Sequence, residues 1–233
     1  MYRRISNRQG ANAVADLTYL TLQPGTDPTS ELMVLHGIGG NEQSIAPIAT
    51  GVDPRLTVIS VRAPLQMGPV AFGWYPTRFG PDGPVINADE AEQGRRSLVT
   101  FIESYRAEHH VQRLYLMGFS QGAIMAVAAA LSVPKLIQGA VGFSGRFPKE
   151  YEGVVRPRSE LAQTRLWIGH GTEDDKLPIH LGRAMRDALK RFGAVYEYSE
   201  FPAGHQVTPA MLAAAHQWLA NQLNAATETS PTT

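Results

Sequence analysis

The chain has 233 residues and a mass of 25.4 kDa, enough for one large domain with a full core. Its 21 Lys and Arg balance 21 Asp and Glu, which leaves no electrostatic footprint for nucleic acid or an anionic membrane and favours small, neutral partners. It has no cysteine, so disulfides, thiolate zinc sites and a cysteine nucleophile are all excluded.

Residues 1–10 are basic, but no apolar segment of a secretory signal follows them, and no apolar run approaches membrane-spanning length. A soluble cytoplasmic protein is the default expectation. Residues 17–22 alternate in the manner of a strand and stop at Gln23-Pro24-Gly25, which predicts an edge strand closed by a turn. Residues 31–35 predict a buried strand running into the loop His36-Gly37-Ile38-Gly39-Gly40-Asn41, with a short helix expected over 42–50. A dinucleotide fingerprint in this loop would need glycine at position 42, but Glu42 stands there and would repel a pyrophosphate. The other use of such a loop is to offer a backbone N–H to an oxyanion, with Ile38 as the donor; a plain strand-to-helix connection is the competing reading.

Residues 56–61 predict another buried strand. Residues 65–87 are rich in Gly and Pro yet carry Phe72, Trp74, Tyr75 and Phe79. Long loops in compact domains are usually functional or disordered, and aromatics argue against disorder. This segment is therefore expected to wall a binding site, and a simple cover for the core is an equal alternative. Residues 88–109 predict an amphipathic helix with Leu98, Phe101, Ile102 and Tyr105 on one face, while His109 and His110 suit the dipole at its C-terminal end better than they suit catalysis.

The chain is organised around Leu114-Tyr115-Leu116-Met117-Gly118-Phe119-Ser120-Gln121-Gly122. An apolar run predicts a buried strand, a glycine-flanked serine follows, and residues 123–131 predict a helix that is apolar nearly all round. In a G-x-S-x-G turn between strand and helix the serine is strained, and the residues two before and two after it come too close to carry side chains. Such a turn lifts the Ser120 hydroxyl above the sheet edge, beside the first N–H groups of the helix, where negative charge is stabilised. A second Gly-Phe-Ser at Gly142-Phe143-Ser144 lacks the following glycine and has Pro148 where a helix should begin, so Ser144 is expected to be an ordinary strand-end residue.

Residues 136–143 and 164–168 predict two more strands, separated by a stretch of roughly twenty residues that suits a long loop rather than an inserted cap. Residues 178–192 predict an amphipathic helix on Leu181, Met185 and Leu189. An edge strand is expected over 194–201, a last helix over 208–223 and a frayed polar tail over 225–233. Strands alternating with helices imply a single α/β domain over 1–224, with a mostly parallel twisted sheet, helices on both faces and no cap domain.

A serine hydroxyl needs a base, and the base needs an orienting carboxylate. In the α/β-hydrolase arrangement these follow the serine along the chain as Asp or Glu, then His. Glu173, Asp174 and Asp175 share one strand-end loop after His170-Gly171, which leaves the acid open among three. His205, preceded by Gly204 at a strand-to-helix junction, suits the base. His36 and His170 open His-Gly turns and brace them, and His180 and His216 lie on helices. No histidine pair has a metal-ligand spacing, and no metal or cofactor is expected.

Together, Leu35-His36-Gly37-Ile38-Gly39-Gly40-Asn41, Gly118-Phe119-Ser120-Gln121-Gly122, residues 170–178 (HGTEDDKLP) and Gly204-His205 resemble the phospholipase/carboxylesterase family, which includes small bacterial carboxylesterases and acyl-protein thioesterases. The likeness runs from about residue 31 to residue 219 and implies the α/β-hydrolase fold. It implies Asp174 as the acid, with Asp175 in reserve, and the backbone N–H groups of Ile38 and Gln121 as the oxyanion hole. The expected activity is hydrolysis of small carboxylic esters without a cofactor. A thioesterase or lysophospholipase acting on long acyl chains, an acyltransferase and an inactive binding protein are the alternatives, and a homodimer is the default assembly.

Overall fold

The strands read twice in period 2, once for each face of the sheet, and this sets the architecture. In β2 (Ser30–Leu35), Met33 and Leu35 enter one core while Leu32 and Val34 enter another. This computed structural model describes residues 17–80 and 83–228; the basic stretch 1–10 and the end of the expected tail, 229–233, lie outside the described residues.

The described residues begin with β1 (Tyr19–Gln23) and β2, pass through a 3-10 turn at Ala46–Ala49, and continue into β3 (Thr57–Val61). Two small hairpins follow, β4 (Leu65–Gln66) with β5 (Phe72–Gly73) and β6 (Thr77–Gly80) with β7 (Gly83–Ile86). Next come α1 (Ala88–His109), β8 (Arg113–Phe119), α2 (Gln121–Ser132), β9 (Gly139–Phe143) and the one-turn α3 (Arg158–Leu161). The chain finishes with β10 (Arg165–Gly171), α4 (Ile179–Phe192), β11 (Val195–Phe201) and α5 (Pro209–Glu228).

Seven strands form the central sheet in the order β1-β3-β2-β8-β9-β10-β11, all parallel except β1. Helices α1, α2 and α4 cover one face, through Leu98, Phe101, Ile102, the run from Ile124 to Leu131, Met185 and Leu189. Helix α5 and the 3-10 turn cover the other, through Met211, Trp218, Leu219, Ile45 and Ile48. Helix α2 is buried along its whole length from Gln121 to Leu131, as its apolar circumference requires. Among the described residues, no helix is long and apolar enough to cross a membrane.

Four expectations are corrected. Over 42–50 there is no α-helix: the Asn41 side chain accepts hydrogen bonds from the Gln43 and Ser44 N–H groups, a local turn that competes with helix, and only the 3-10 turn follows. The segment 65–87 is two hairpins rather than an open loop. The stretch after β9 carries a 3-10 turn at Lys149–Val154 as well as α3. Helix α5 runs on to Glu228, past the start of the expected tail at 225.

Candidate active site

Parallel strands deliver their C-terminal ends to one edge of the sheet, and the loops there build the site. Strand β8 ends at Phe119, and α2 begins at Gln121. Ser120 between them has φ 55 and ψ −118, an uncommon conformation for a residue with a side chain. A Cβ at Gly118 would lie 2.2 Å from the Gly122 carbonyl oxygen, and one at Gly122 would lie 2.1 Å from that of Leu35. Both glycines are thus required by close backbone approach.

Ser120 Oγ lies 3.0 Å from His205 Nε2, and His205 Nδ1 lies 2.8 Å from Asp174 Oδ2. The carboxylate accepts the Nδ1–H, so Nε2 presents its lone pair to the serine hydroxyl. Asp174 is itself oriented: Oδ1 accepts hydrogen bonds from the N–H groups of Lys176 at 2.9 Å and Leu177 at 2.7 Å. Its side chain is fully buried, whereas Asp175 is exposed and pairs with Lys176. Of the three acids in the loop, Asp174 is the one that reaches His205. The Phe119 ring packs on the His205 ring at 4.8 Å.

The loop after β2 closes over the serine. A Cβ at Gly37 would lie 3.2 Å from Ser120 Cβ. Backbone N–H groups of Ile38 and Gln121 have no partner among the described residues. His36 braces this loop: its Nδ1–H donates to the Gly37 carbonyl at 2.7 Å, and its Nε2 accepts from the Ala63 N–H at 3.0 Å. Burial holds its pKa below the ordinary histidine value despite the Gly37 contact, which keeps it neutral as this pairing demands. His170 braces the acid loop by donating from Nε2 to the Leu177 carbonyl at 2.7 Å. Of the two helical histidines, His180 is exposed on α4 and His216 contacts the Ile48 carbonyl. Glu42, the residue that spoiled a dinucleotide fingerprint, is buried against Arg62, which holds its carboxyl below the usual carboxylate range.

A cavity of roughly 260 Å³ opens beside Ser120 and His205. Of Phe72, Trp74 and Tyr75, expected to wall it, only Tyr75 does so. Trp74 is buried and donates its indole N–H to the His36 carbonyl, while Phe72 exchanges backbone hydrogen bonds with Gly39 and Gly40 and lies under the Arg62 guanidinium. Gln121 clamps the same segment: Oε1 accepts from the Trp74 N–H, and Nε2 donates to the Tyr75 carbonyl and Thr77 Oγ1. Sequence reasoning did not single out Thr77, Ile86, Ile124, Arg146 or Leu177, which also border the cavity. Arg146 follows β9 at the same sheet edge as Ser120, and that position was the signal available for it.

Ser144 follows β9 with φ 49, a positive φ like that of Ser120, but its hydroxyl is buried without a partner among the described residues and does not border the cavity.

A profile of the Phospholipase/Carboxylesterase family matches residues 18–223. The chain is 30% identical over 115 residues to acyl-protein thioesterase 1 of Gibberella zeae, covering 48% of this chain and 49% of that protein. It is 27% identical over 216 residues to a "Probable inactive carboxylesterase" of Oryza sativa subsp. japonica, covering 85% and 88%. Over the first curated relatives the chain spans only about half their length, 44% to 49%. The carboxylesterase of Bacillus cereus superposes with a TM-score of 0.76 over 91% of this chain and 96% of that one; at 23% identity this likeness speaks for the fold. With a family match that runs from the first strand of the sheet through the last helix, across the serine elbow and the loops that face it, the chain belongs to the phospholipase/carboxylesterase family of α/β-hydrolases.

Proposed function

We propose that this protein is a serine hydrolase that cleaves carboxylic esters through an acyl-enzyme. The observation that carries this reading is the continuous chain Asp174–His205–Ser120, ending on the cavity. Ser120 Oγ attacks the ester carbonyl while His205 Nε2 takes its proton, and Asp174 stabilises the resulting imidazolium. The Ile38 and Gln121 N–H groups receive the tetrahedral oxyanion. Collapse expels the alcohol with the proton from His205. Water then attacks the acyl-Ser120 ester with His205 again as base, releasing the acid and restoring the serine.

The cavity lies below the ~300–1,000 Å³ common for drug-sized ligands, which favours a short acyl group over a palmitoyl chain. A fluorophosphonate probe tests the chemistry, because only an activated serine is labelled. Labelling mapped to Ser120 and abolished in Ser120→Ala, with turnover of a short-chain ester lost by several orders of magnitude, is expected. An unlabelled protein with no esterase activity would return the chain to the class of inactive binding proteins. A thioester series that accelerates toward palmitoyl would reject the short-acyl reading.

A further inference from the structure

Two formally charged side chains border the cavity among the described residues, Arg146 and Lys176, and both are cationic. His205 borders it too, and no carboxylate borders it among the described residues. Lys176 is exposed and already pairs with Asp175 at 3.1 Å. Arg146 differs. Its Nη2 donates only to the Pro84 carbonyl at 3.2 Å, a neutral acceptor at ordinary range. Its Nε–H is buried and meets no acceptor among the described residues, and the guanidinium makes no ion pair with any described carboxylate. Glu150, four residues further on, is exposed and makes no ion pair with it.

A half-buried guanidinium with a buried, unsatisfied donor is costly to maintain, because the group has left water without gaining an anion. The Pro84 contact ties the head to the hairpin made by β6 and β7, and the side chain borders the cavity. Arginine's planar fork matches a carboxylate in two parallel hydrogen bonds, and the pairing strengthens where water is excluded. Ile38, Ile86, Ile124 and Leu177 form apolar walls, and the polar side chains that also border the cavity, Thr77 and Gln121 among them, carry no charge to compete for the guanidinium.

Resting on the ester-hydrolase reading above, we infer that the substrate is an ester carrying a second, free carboxylate, and that Arg146 binds this carboxylate while Ser120 receives the acyl group. Arg146 is then the specificity-determining residue of the pocket. The carboxylate pairs with Arg146 both before and during acylation, so the interaction acts mainly through substrate binding.

The test compares isosteric esters. Monoethyl glutarate against ethyl pentanoate places the charge in the acyl part; 2-acetoxypropanoate against isopropyl acetate places it in the alcohol part. The expected result is that kcat/KM favours the anionic member of at least one pair by about tenfold or more, the factor a charge-assisted pair supplies. That ratio should collapse in Arg146→Gln through KM, be partly restored in Arg146→Lys, and shrink with added salt in the parent. Equal rates for neutral and anionic members in both pairs overturn the inference while leaving the esterase reading standing, and this result needs only the parent protein. No turnover of any of the four esters would instead count against the esterase reading. A preference that survives intact in a folded Arg146→Gln would also overturn the inference, because the charge would then be read elsewhere.

Discussion

Ser120 and Ser144 follow neighbouring strands, both with positive φ, 55 and 49, yet of the two only Ser120 lies within hydrogen-bond reach of a histidine. Strain at a strand end is therefore insufficient for the proposed nucleophile; Ser120 has in addition the glycine-lined turn, the helix behind it and the histidine above it. The Ser144 hydroxyl is buried with no partner among the described residues, and removing an unsatisfied buried donor costs little. Ser144→Ala is expected to keep kcat/KM within about twofold and to melt at or above the parent temperature, because the hydroxyl makes no bond to lose. A tenfold loss of turnover would give Ser144 a part in the site. At Asp174 the opposite holds, since its two oxygens face two different demands. In Asp174→Asn the amide can still accept from the Leu177 N–H, but its other arm no longer fixes the His205 tautomer. A drop in kcat of about 10⁴ with little change in melting temperature is expected, by analogy with serine proteases. Turnover within tenfold of the parent would move the acid to another residue.

The element that joins chemistry to pocket is the N-terminal turn of α2. The Gln121 backbone N–H is left open beside Ser120, while its side chain spends three hydrogen bonds on Trp74, Tyr75 and Thr77. Gln121→Ala keeps the backbone donor and releases the hairpin wall, so kcat/KM for a short ester should fall by about 10- to 100-fold. Gln121→Glu should do no better, because a carboxylate can accept from Trp74 but cannot donate to the Tyr75 carbonyl. Full activity in either variant, measured on protein with parent-like thermal melting, would refute the clamp. These contacts also mark where sequence reading stops. Helix α1 was legible to the residue because Asn87 caps Asp89 and Glu90 while His110 turns left-handed at φ 55. That Ser120, Asp174 and His205 lie together was legible in their order along the chain, because parallel strands bring successive loops to one sheet edge. The Asn41 turn and the hairpins of two to four residues have no period to detect. Phe72 and Trp74 were assigned to the pocket by composition, which cannot tell an aromatic facing a cavity from one that anchors the loop behind it.

At the scale of the whole molecule, stability should respond to pH through groups far from the site. Glu31 opens β2 beneath α1, is 3% exposed, and accepts a hydrogen bond from the Tyr105 hydroxyl at 2.5 Å. Burial pushes its carboxyl up to about 7, against the partly opposing Tyr105 bond. Tyr19 and Glu108 also bear on this cluster, through Tyr105. Because the folded value lies above the unfolded one, near 4.5, the native state holds the extra proton between those two limits. Glu31 therefore supports the fold fully below about 4.5 and loses that support as pH rises through about 7. Asp27 works from the other side. Burial opposes its ionisation, but hydrogen bonds from Ser30, Thr29 and Arg113 together hold it at about 2, so its contribution is fully present above 3.8 and is lost as pH falls below 3.8 through about 2. The two windows meet on the acid side of neutrality, and the melting temperature should fall between about pH 5 and pH 8 by several degrees, the equivalent of up to ~3 kcal/mol. Glu31→Gln keeps an acceptor for Tyr105 and removes the titration. In melts at matched ionic strength this variant should be level across that range and at least as stable as the parent at pH 8. A variant that keeps the full slope would place the titrating group elsewhere, whereas a variant that is level but far less stable throughout would mean that the ionised carboxylate, held by Tyr105, is what the fold requires.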